Sequence, residues 1–178
     1  LQQVVEAVTG KTLDAYLVSE FYRPMGLEHT LFQPLNRYKK ADIMPTAAND
    51  YLRRQDLCGY VHDEAAAFMG GVSGNAGLFS TAQELGKIYQ MILNEGELDG
   101  KRYLRPETCR IFTTEKSAVS HRGLGYDKPN LKDLKNSPCA ASATAAVYGH
   151  TGFTGTCAWV DPEHGTVYVF LSLSLIHI

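Results

Sequence analysis

His150-Thr151-Gly152-Phe153-Thr154-Gly155 opens two strand-like runs, Thr156-Cys157-Ala158-Trp159-Val160 and Thr166-Val167-Tyr168-Val169-Phe170-Leu171-Ser172. In the first run Cys157 and Trp159 alternate with Ala158 and Val160. In the second, Val167, Val169 and Leu171 alternate with Tyr168 and Phe170. Both faces of this hairpin are therefore apolar. Strands without polar alternation are covered on both sides, which predicts helices on each face of the sheet. A basic side chain, a hydroxyl and a glycine at the edge of such a sheet can hold a carboxylate or carbonyl oxygen against it.

Working outward, the chain reads as helices first and antiparallel strands last. Leu1, Val4, Val5 and Val8 share a helical face that stops at Gly10. Thr12 is placed to cap a second helix with Leu13, Tyr16, Leu17 and Phe21 on one face, ending before Pro24. Residues Met25–Asp56 have little periodicity and read as an irregular surface excursion. Gly70–Gly77 is glycine-rich and predicts a tight backbone crossing. Thr81 and Glu84 form a capping-box pattern ahead of a stripe of Leu85, Ile88, Tyr89 and Ile92. Asp99-Gly100 is a hairpin turn between Glu97-Leu98 and Tyr103-Leu104. Pro106 suits the first turn of a short helix through Phe112. Ser117–Ala146 reads as loop.

The 178 residues have the length of one domain, with no internal repeat or linker. A formal charge of −2 and no basic stripe give nucleic acid nothing to bind. No run of about eighteen apolar residues exists, so no membrane-spanning helix is encoded. Cys58, Cys109, Cys139 and Cys157 are scattered without C-x-x-C spacing, which predicts plain thiols and neither a zinc site nor a disulfide framework. No cofactor or metal is expected: the glycine loop lacks the G-K-[ST] of a phosphate loop, and G-x-G-x-x-G, H-E-x-x-H and G-x-S-x-G are absent. Val61-His62-Asp63-Glu64 offers one imidazole without a second ligand at helical spacing, so His62 is read as structural. A metal hydrolase using His62, Asp63 and His150 stays open as an alternative requiring those side chains to converge.

Three segments carry a resemblance. Val8–Leu27, with V-T-G-K-T-L-D-A-Y-L and R-P-M-G-L, is followed by G-G-V-S-G-N-A-G-L-F-S-T at Gly70–Thr81 and by Y-G-H-T-G-F-T-G-T at Tyr148–Thr156. In this order they resemble the serine β-lactamase-like and penicillin-binding-protein-like hydrolases: class C β-lactamases, D,D-peptidases and esterase relatives. Val61-His62-Asp63-Glu64 and Gly123–Lys128 further resemble the lactamase-type domain sometimes fused behind a family 3 glycoside hydrolase, which would make a glycoside hydrolase domain a fused partner in the parent protein.

The resemblance implies an α+β fold, the C-terminal part of a β-lactamase/transpeptidase-like domain over residues 1–172, with an antiparallel sheet flanked by helices. Family members attack with the serine of S-x-x-K and relay protons through the tyrosine of Y-x-N. Neither motif occurs: Thr113-Thr114-Glu115-Lys116 is the nearest approach to the first, and no Tyr has Asn two residues on. Both are expected upstream of Leu1, so the chain reads as a fragment, inactive alone and prone to aggregate where its last strand is left unpaired. Leu173–Ile178 reads as the translation of a sequencing adapter. Ser73-Gly74-Asn75 spells S-x-N but sits in the glycine loop, where the motif lacks its structural context.

The resemblance also assigns roles. His150, Thr151 and Gly152 would bind substrate: His150 as a pH-dependent anion contact where the family usually has Lys, Thr151 through its hydroxyl, Gly152 by letting substrate backbone lie on the strand. The backbone N–H of Phe153 would be one oxyanion-hole donor, the missing serine supplying the other. The implied substrate is a small molecule or peptide with a carboxylate or acyl group, and the implied compartment is periplasmic or secreted. A non-catalytic binding domain of the same fold is the alternative.

Overall fold

A computed structural model describes residues 1–114 and 117–173. The adapter-like tail from Ser174 onward, and the last two residues of Thr113–Lys116, lie outside the described residues. The fold is α+β and divides into two compact units, Leu1–Glu84 with Ser172 and Leu173, and Leu85–Leu171. The division falls inside a helix, where the composition gives no sign of it.

In the first unit, α1 (Gln2–Thr9) ends on Gly10, whose φ of 67° lets its N–H cap Glu6 O at 2.9 Å. Leu1, Val4 and Val8 of its apolar face are exposed. Helix α2 (Leu13–Leu17) starts at Thr12, but the threonine hydroxyl makes no capping bond. Glu6 Oε1 instead accepts from Leu13 N–H at 3.0 Å, because α1 folds back beside the start of α2. The helix then widens into a π-helical turn over Val18–Tyr22. Leu13, Tyr22 and, just beyond the turn, Met25 and Leu27 are buried, and burial pushes the Tyr22 hydroxyl up to about 12.

Strand β1 (Leu31–Phe32) leads to a hairpin of β2 (Pro45–Asp50) and β3 (Gln55–Cys58), which corrects the reading of Met25–Asp56 as irregular. Register breaks between Pro45, Ala47 and Asp50 destroy the period-two signal, and Asn49 and Arg54 take positive φ without being glycine. The Asp50 carboxylate, closed around by Arg53 N–H at 2.7 Å and by its guanidinium at 3.0 Å, pins the turn. A short helix α3 (Glu64–Phe68) is capped by Asp63, which accepts from Ala66 N–H at 2.7 Å. The glycine loop closes where expected: a Cβ on Gly77 would lie 2.5 Å from Gly71 O. Strand β4 (Leu78–Phe79) then pairs with β1.

Helix α4 (Ala82–Leu93) carries the chain onward. Thr81 Oγ1 accepts from Glu84 N–H at 3.2 Å, half of a capping box. The reciprocal half is replaced. The Glu84 carboxylate is buried and accepts from Glu28 N–H (2.9 Å), His29 N–H (3.0 Å) and Thr30 Oγ1 (2.6 Å). Of the α4 stripe, Leu85, Ile88, Tyr89 and Ile92 are half-buried, whereas Met91 is fully enclosed.

In the second unit, β5 (Glu97–Leu98) and β6 (Lys101–Arg102) pair across Asp99-Gly100, both at positive φ as the tight hairpin requires. Helix α5 (Pro106–Thr114) begins on Pro106. The sheet that positions the site is β7 (Tyr148–Gly152), β8 (Thr156–Asp161) and β9 (Thr166–Leu171), in that order and antiparallel. Ala158 and Val160 of β8, with Val147, Tyr148, Cys109 and Leu98, form the buried centre. The opposite face does not follow the two-sided expectation: Tyr168 and Phe170 are about half exposed among the described residues. Apolar text on both faces thus overstates the cover on β9.

Candidate active site

Strand β7 sits at the edge of its sheet. His150 pairs with Ala158, Thr151 with Cys157 and Gly152 with Thr156, so the three residues singled out by sequence lie in one line on the strand. All three are exposed, as is Phe153 in the turn that follows. A Cβ on Gly152 would meet Thr156 Oγ1, the end of a side chain that can turn away. Gly149 is under a stricter demand. A Cβ there would run into the Ala158 carbonyl and lie 2.5 Å from Trp159 Cε3.

The outer side of β7 is met by a tight turn from the loop. Gly123 N–H donates to Tyr126 O at 2.7 Å, Gly125 takes a φ of 87°, and Arg122 bridges antiparallel to Asp127. Asp127 in turn bridges Gly149: Asp127 N–H donates to Gly149 O at 2.7 Å and Gly149 N–H to Asp127 O at 3.1 Å. In an antiparallel strand successive residues direct their main-chain groups to alternate sides. With Gly149 facing outward to Asp127, the main-chain groups of Thr151 face the same outer edge.

The turn is anchored by aromatic packing. The Tyr126 ring lies 5.2 Å from that of Tyr148 and 6.4 Å from that of Tyr89. Burial, before any neighbouring charge, pushes the Tyr126 and Tyr148 hydroxyls well above the ordinary phenol range. They are therefore neutral packing groups. Buried Lys128 donates from Nζ to Thr113 O at 2.7 Å and lies under the Tyr148 ring.

This turn brings a charged pair to His150. Arg122 Nη1 lies 2.8 Å from His150 Nε2, and His150 Nδ1 lies 2.6 Å from Thr151 O. Arg122 Nε lies 2.8 Å from Oδ1 of Asp127, an ionic contact without hydrogen-bond alignment, and His121 Nε2 lies 3.4 Å from the same oxygen. Sequence reasoning missed Arg122, His121 and Asp127. The signal available was the Gly123–Lys128 text, which carried resemblance but no period.

Other candidates are occupied structurally. Ser73 Oγ donates to Asn75 Oδ1 at 2.6 Å and Asn75 to Asp63 at 3.0 Å, so S-x-N ties its loop to the α3 cap. The carbonyls of Val61 and His62 receive Arg53. Among the described residues no three His, Cys, Asp or Glu side chains converge as a metal site would need. None of the four cysteines is in a disulfide, and burial pushes the Cys139 thiol up to about 11.

The sequence profile of the Beta-lactamase family matches residues 1–175. The chain belongs to the beta-lactamase family. It is 38% identical over 181 aligned residues to an Escherichia coli (strain K12) protein named "Putative D-alanyl-D-alanine carboxypeptidase", covering 95% of this chain and 42% of that protein. It is also 34% identical over 173 residues to the N-acetylmuramyl-L-alanine amidase of Bacillus subtilis (strain 168), covering 90% of this chain and 39% of that one. Among solved structures, Simvastatin Synthase (LovD) from Aspergillus terreus superposes with a TM-score of 0.62 at 17% identity, over 94% of this chain and 46% of that chain. The last likeness is one of fold. This beta-lactamase-family chain thus spans about two fifths of the length of the curated relatives it matches.

Proposed function

We propose that this chain supplies the substrate-binding edge strand of a serine acyl hydrolase whose substrates are D-amino-acid peptides of cell-wall type, with β-lactams and esters as chemically related acyl donors. One observation carries the reading: β7 presents His150, Thr151 and Gly152 in line on an exposed sheet edge beside a guanidinium. An extended substrate can lie along that edge as an added strand. Thr151 hydrogen-bonds its carboxylate, Gly152 admits its backbone, and the backbone N–H of Phe153 donates to the oxyanion. One such donor contributes about 3–4 kcal/mol of transition-state stabilisation. The attacking serine, its general base and the second donor come from S-x-x-K and Y-x-N segments that this sequence does not contain. The serine oxygen attacks the acyl carbon and expels the leaving amine or alcohol, and water then cleaves the acyl-enzyme to free the acid and the serine. The two curated relatives, named "Putative D-alanyl-D-alanine carboxypeptidase" and "N-acetylmuramyl-L-alanine amidase", support a peptide over a lactam as the natural substrate. Such substrates lie outside the cytoplasm, and the protein is proposed to act there.

The test is turnover. Residues 1–173 should give no saturable hydrolysis of nitrocefin, a p-nitrophenyl ester or a D-Ala-D-Ala peptide, yet should bind the peptide. Saturable turnover by this chain alone would refute the division of labour, and absence of peptide binding by a monomeric, cooperatively melting sample would refute the binding role.

A further inference from the structure

We propose that neutral His150 closes the outer edge of β7 by capping the Thr151 carbonyl, and that a second proton on its ring, repelled by Arg122, opens that edge to an added strand. The proposal rests on the acyl-hydrolase reading above and adds to it a regulation of the same edge by acid.

The argument starts from donors and acceptors. A guanidinium only donates, so at 2.8 Å from Arg122 Nη1 the Nε2 atom of His150 must offer its lone pair. His150 Nδ1 faces the Thr151 carbonyl at 2.6 Å and must therefore carry the proton. Only the neutral Nδ1–H imidazole satisfies both contacts. Gly149 pairs outward with Asp127, and Thr151 is the next residue whose main chain faces that edge. A strand added there needs the Thr151 carbonyl as an acceptor, and the imidazole already occupies it.

Protonation reverses the contact. A doubly protonated ring has no lone pair, and its Nε2–H points at a guanidinium that keeps its own charge at every working pH. A hydrogen bond becomes repulsion between two cations. Arg122 has an anchor that the ring lacks: its Nε lies 2.8 Å from the carboxylate of Asp127, a residue 3% exposed and bonded both ways to Gly149 through its main chain. The imidazole is exposed and held by one carbonyl, so the ring is the partner that moves. Nothing from β8 offsets this: neutral Ala158 stands opposite His150, and the Cys157 thiol stands opposite Thr151. On β7 itself, the Tyr148 hydroxyl is kept neutral by burial. His121, the other imidazole of the cluster, faces Asp127 at 3.4 Å. The competing role for His150 is that of a fixed surface group. It predicts binding at the edge that does not respond to pH.

The experiment measures binding of N-acetyl-D-alanyl-D-alanine amide to the 178-residue chain by calorimetry at pH 8 and pH 5, the range in which imidazoles change charge. The probe carries no group that titrates there, so any response belongs to the protein. The wild type should bind about threefold to tenfold tighter at pH 5, the net worth of one freed hydrogen bond. His150→Phe removes the cap and should show the tighter affinity at both pH values. Arg122→Gln removes the repelling charge and should show the weaker affinity at both, whereas His121→Gln should keep the wild-type response. Equal wild-type affinity at the two pH values overturns the proposal while leaving the hydrolase reading standing. A response that survives His150→Phe, or is lost in His121→Gln, overturns it as well. No binding at either pH by a monomeric, cooperatively melting sample refutes the hydrolase reading, and ligand-free spectra then decide the switch. Nitrogen-15 spectra should show the Nδ1–H tautomer of His150 at pH 8, and the Thr151 carbonyl carbon-13 shift should follow the His150 titration in the wild type. An Nε2–H ring, or a Thr151 carbonyl indifferent to that titration, contradicts the switch.

Discussion

Two buried carboxylates, one in each unit, are managed in opposite ways. Glu84 is enclosed mainly by main-chain and hydroxyl donors, the Glu28 and His29 N–H groups and the Thr30 hydroxyl, with the His29 ring nitrogen at 3.0 Å. Asp127 is just as buried, but its partners are Arg122 and His121, which stand more than half and about one third exposed. The first carboxylate ties Glu28–Thr30 to the start of α4. The second displays a fixed positive charge at the rim of β7. A buried carboxylate held chiefly by main-chain and hydroxyl donors serves the framework; one left to an exposed guanidinium places that charge at the surface.

The largest expected effect breaks the first of these. Glu84→Ala strips the acceptors from at least three donors at once and should cost about 3 kcal/mol or more, a fall in Tm of roughly 10 °C for a chain of this size. Glu84→Gln keeps the shape and should cost about half as much in the same melting experiment. Next comes Gly149→Ala on the other side of the comparison. The added methyl meets the Ala158 carbonyl and Trp159, so β7 must move, at about 2–3 kcal/mol in chemical denaturation.

The pH dependence of stability sharpens the contrast. Burial alone would push the Glu84 carboxyl up, but hydrogen bonds from Thr30, His29 and Glu28 outweigh it and hold the group below its ordinary 4.5. Since the folded value is the lower one, Glu84 stabilises the fold above that ordinary value, and the contribution disappears as pH falls through the depressed one. Melting temperature should therefore drop on acidification across this range, and Glu84→Gln should flatten the profile. A parallel profile in the variant would show that Glu84 is not the group responsible. The smallest effect is that of Arg122→Gln on stability, about 1 kcal/mol, because the arginine itself is more than half exposed and His121 still faces the Asp127 carboxylate. A loss as large as that of Glu84→Ala would erase the distinction between the two carboxylates.

Much of the fold could be read from local pattern. The β8–β9 hairpin, the Gly10 stop, the Asp99-Gly100 turn and the Pro106 start each follow from residues that satisfy their own local geometry. What escaped depended on distant partners. Thr12 looked like a cap, but Glu6 reaches Leu13 N–H first. Glu84 looked like half of a capping box, but its carboxylate lies buried against residues more than fifty positions earlier. The β2–β3 hairpin was hidden by its register breaks. His150, Thr151 and Gly152 were visible as a short polar triplet on a strand. Arg122 and Asp127 were not, because nothing periodic in Ser117–Ala146 reveals that a turn of six residues docks on Gly149.

The most direct measurement is an amide and side-chain chemical-shift map of the chain titrated with N-acetyl-D-alanyl-D-alanine. The shifts should concentrate on Thr151, Gly152 and Phe153, with Glu84 and its partners unmoved. Shifts confined to the apolar depression lined by Leu13, Leu17, Tyr22 and Phe32, with β7 silent, would contradict the assignment of the site.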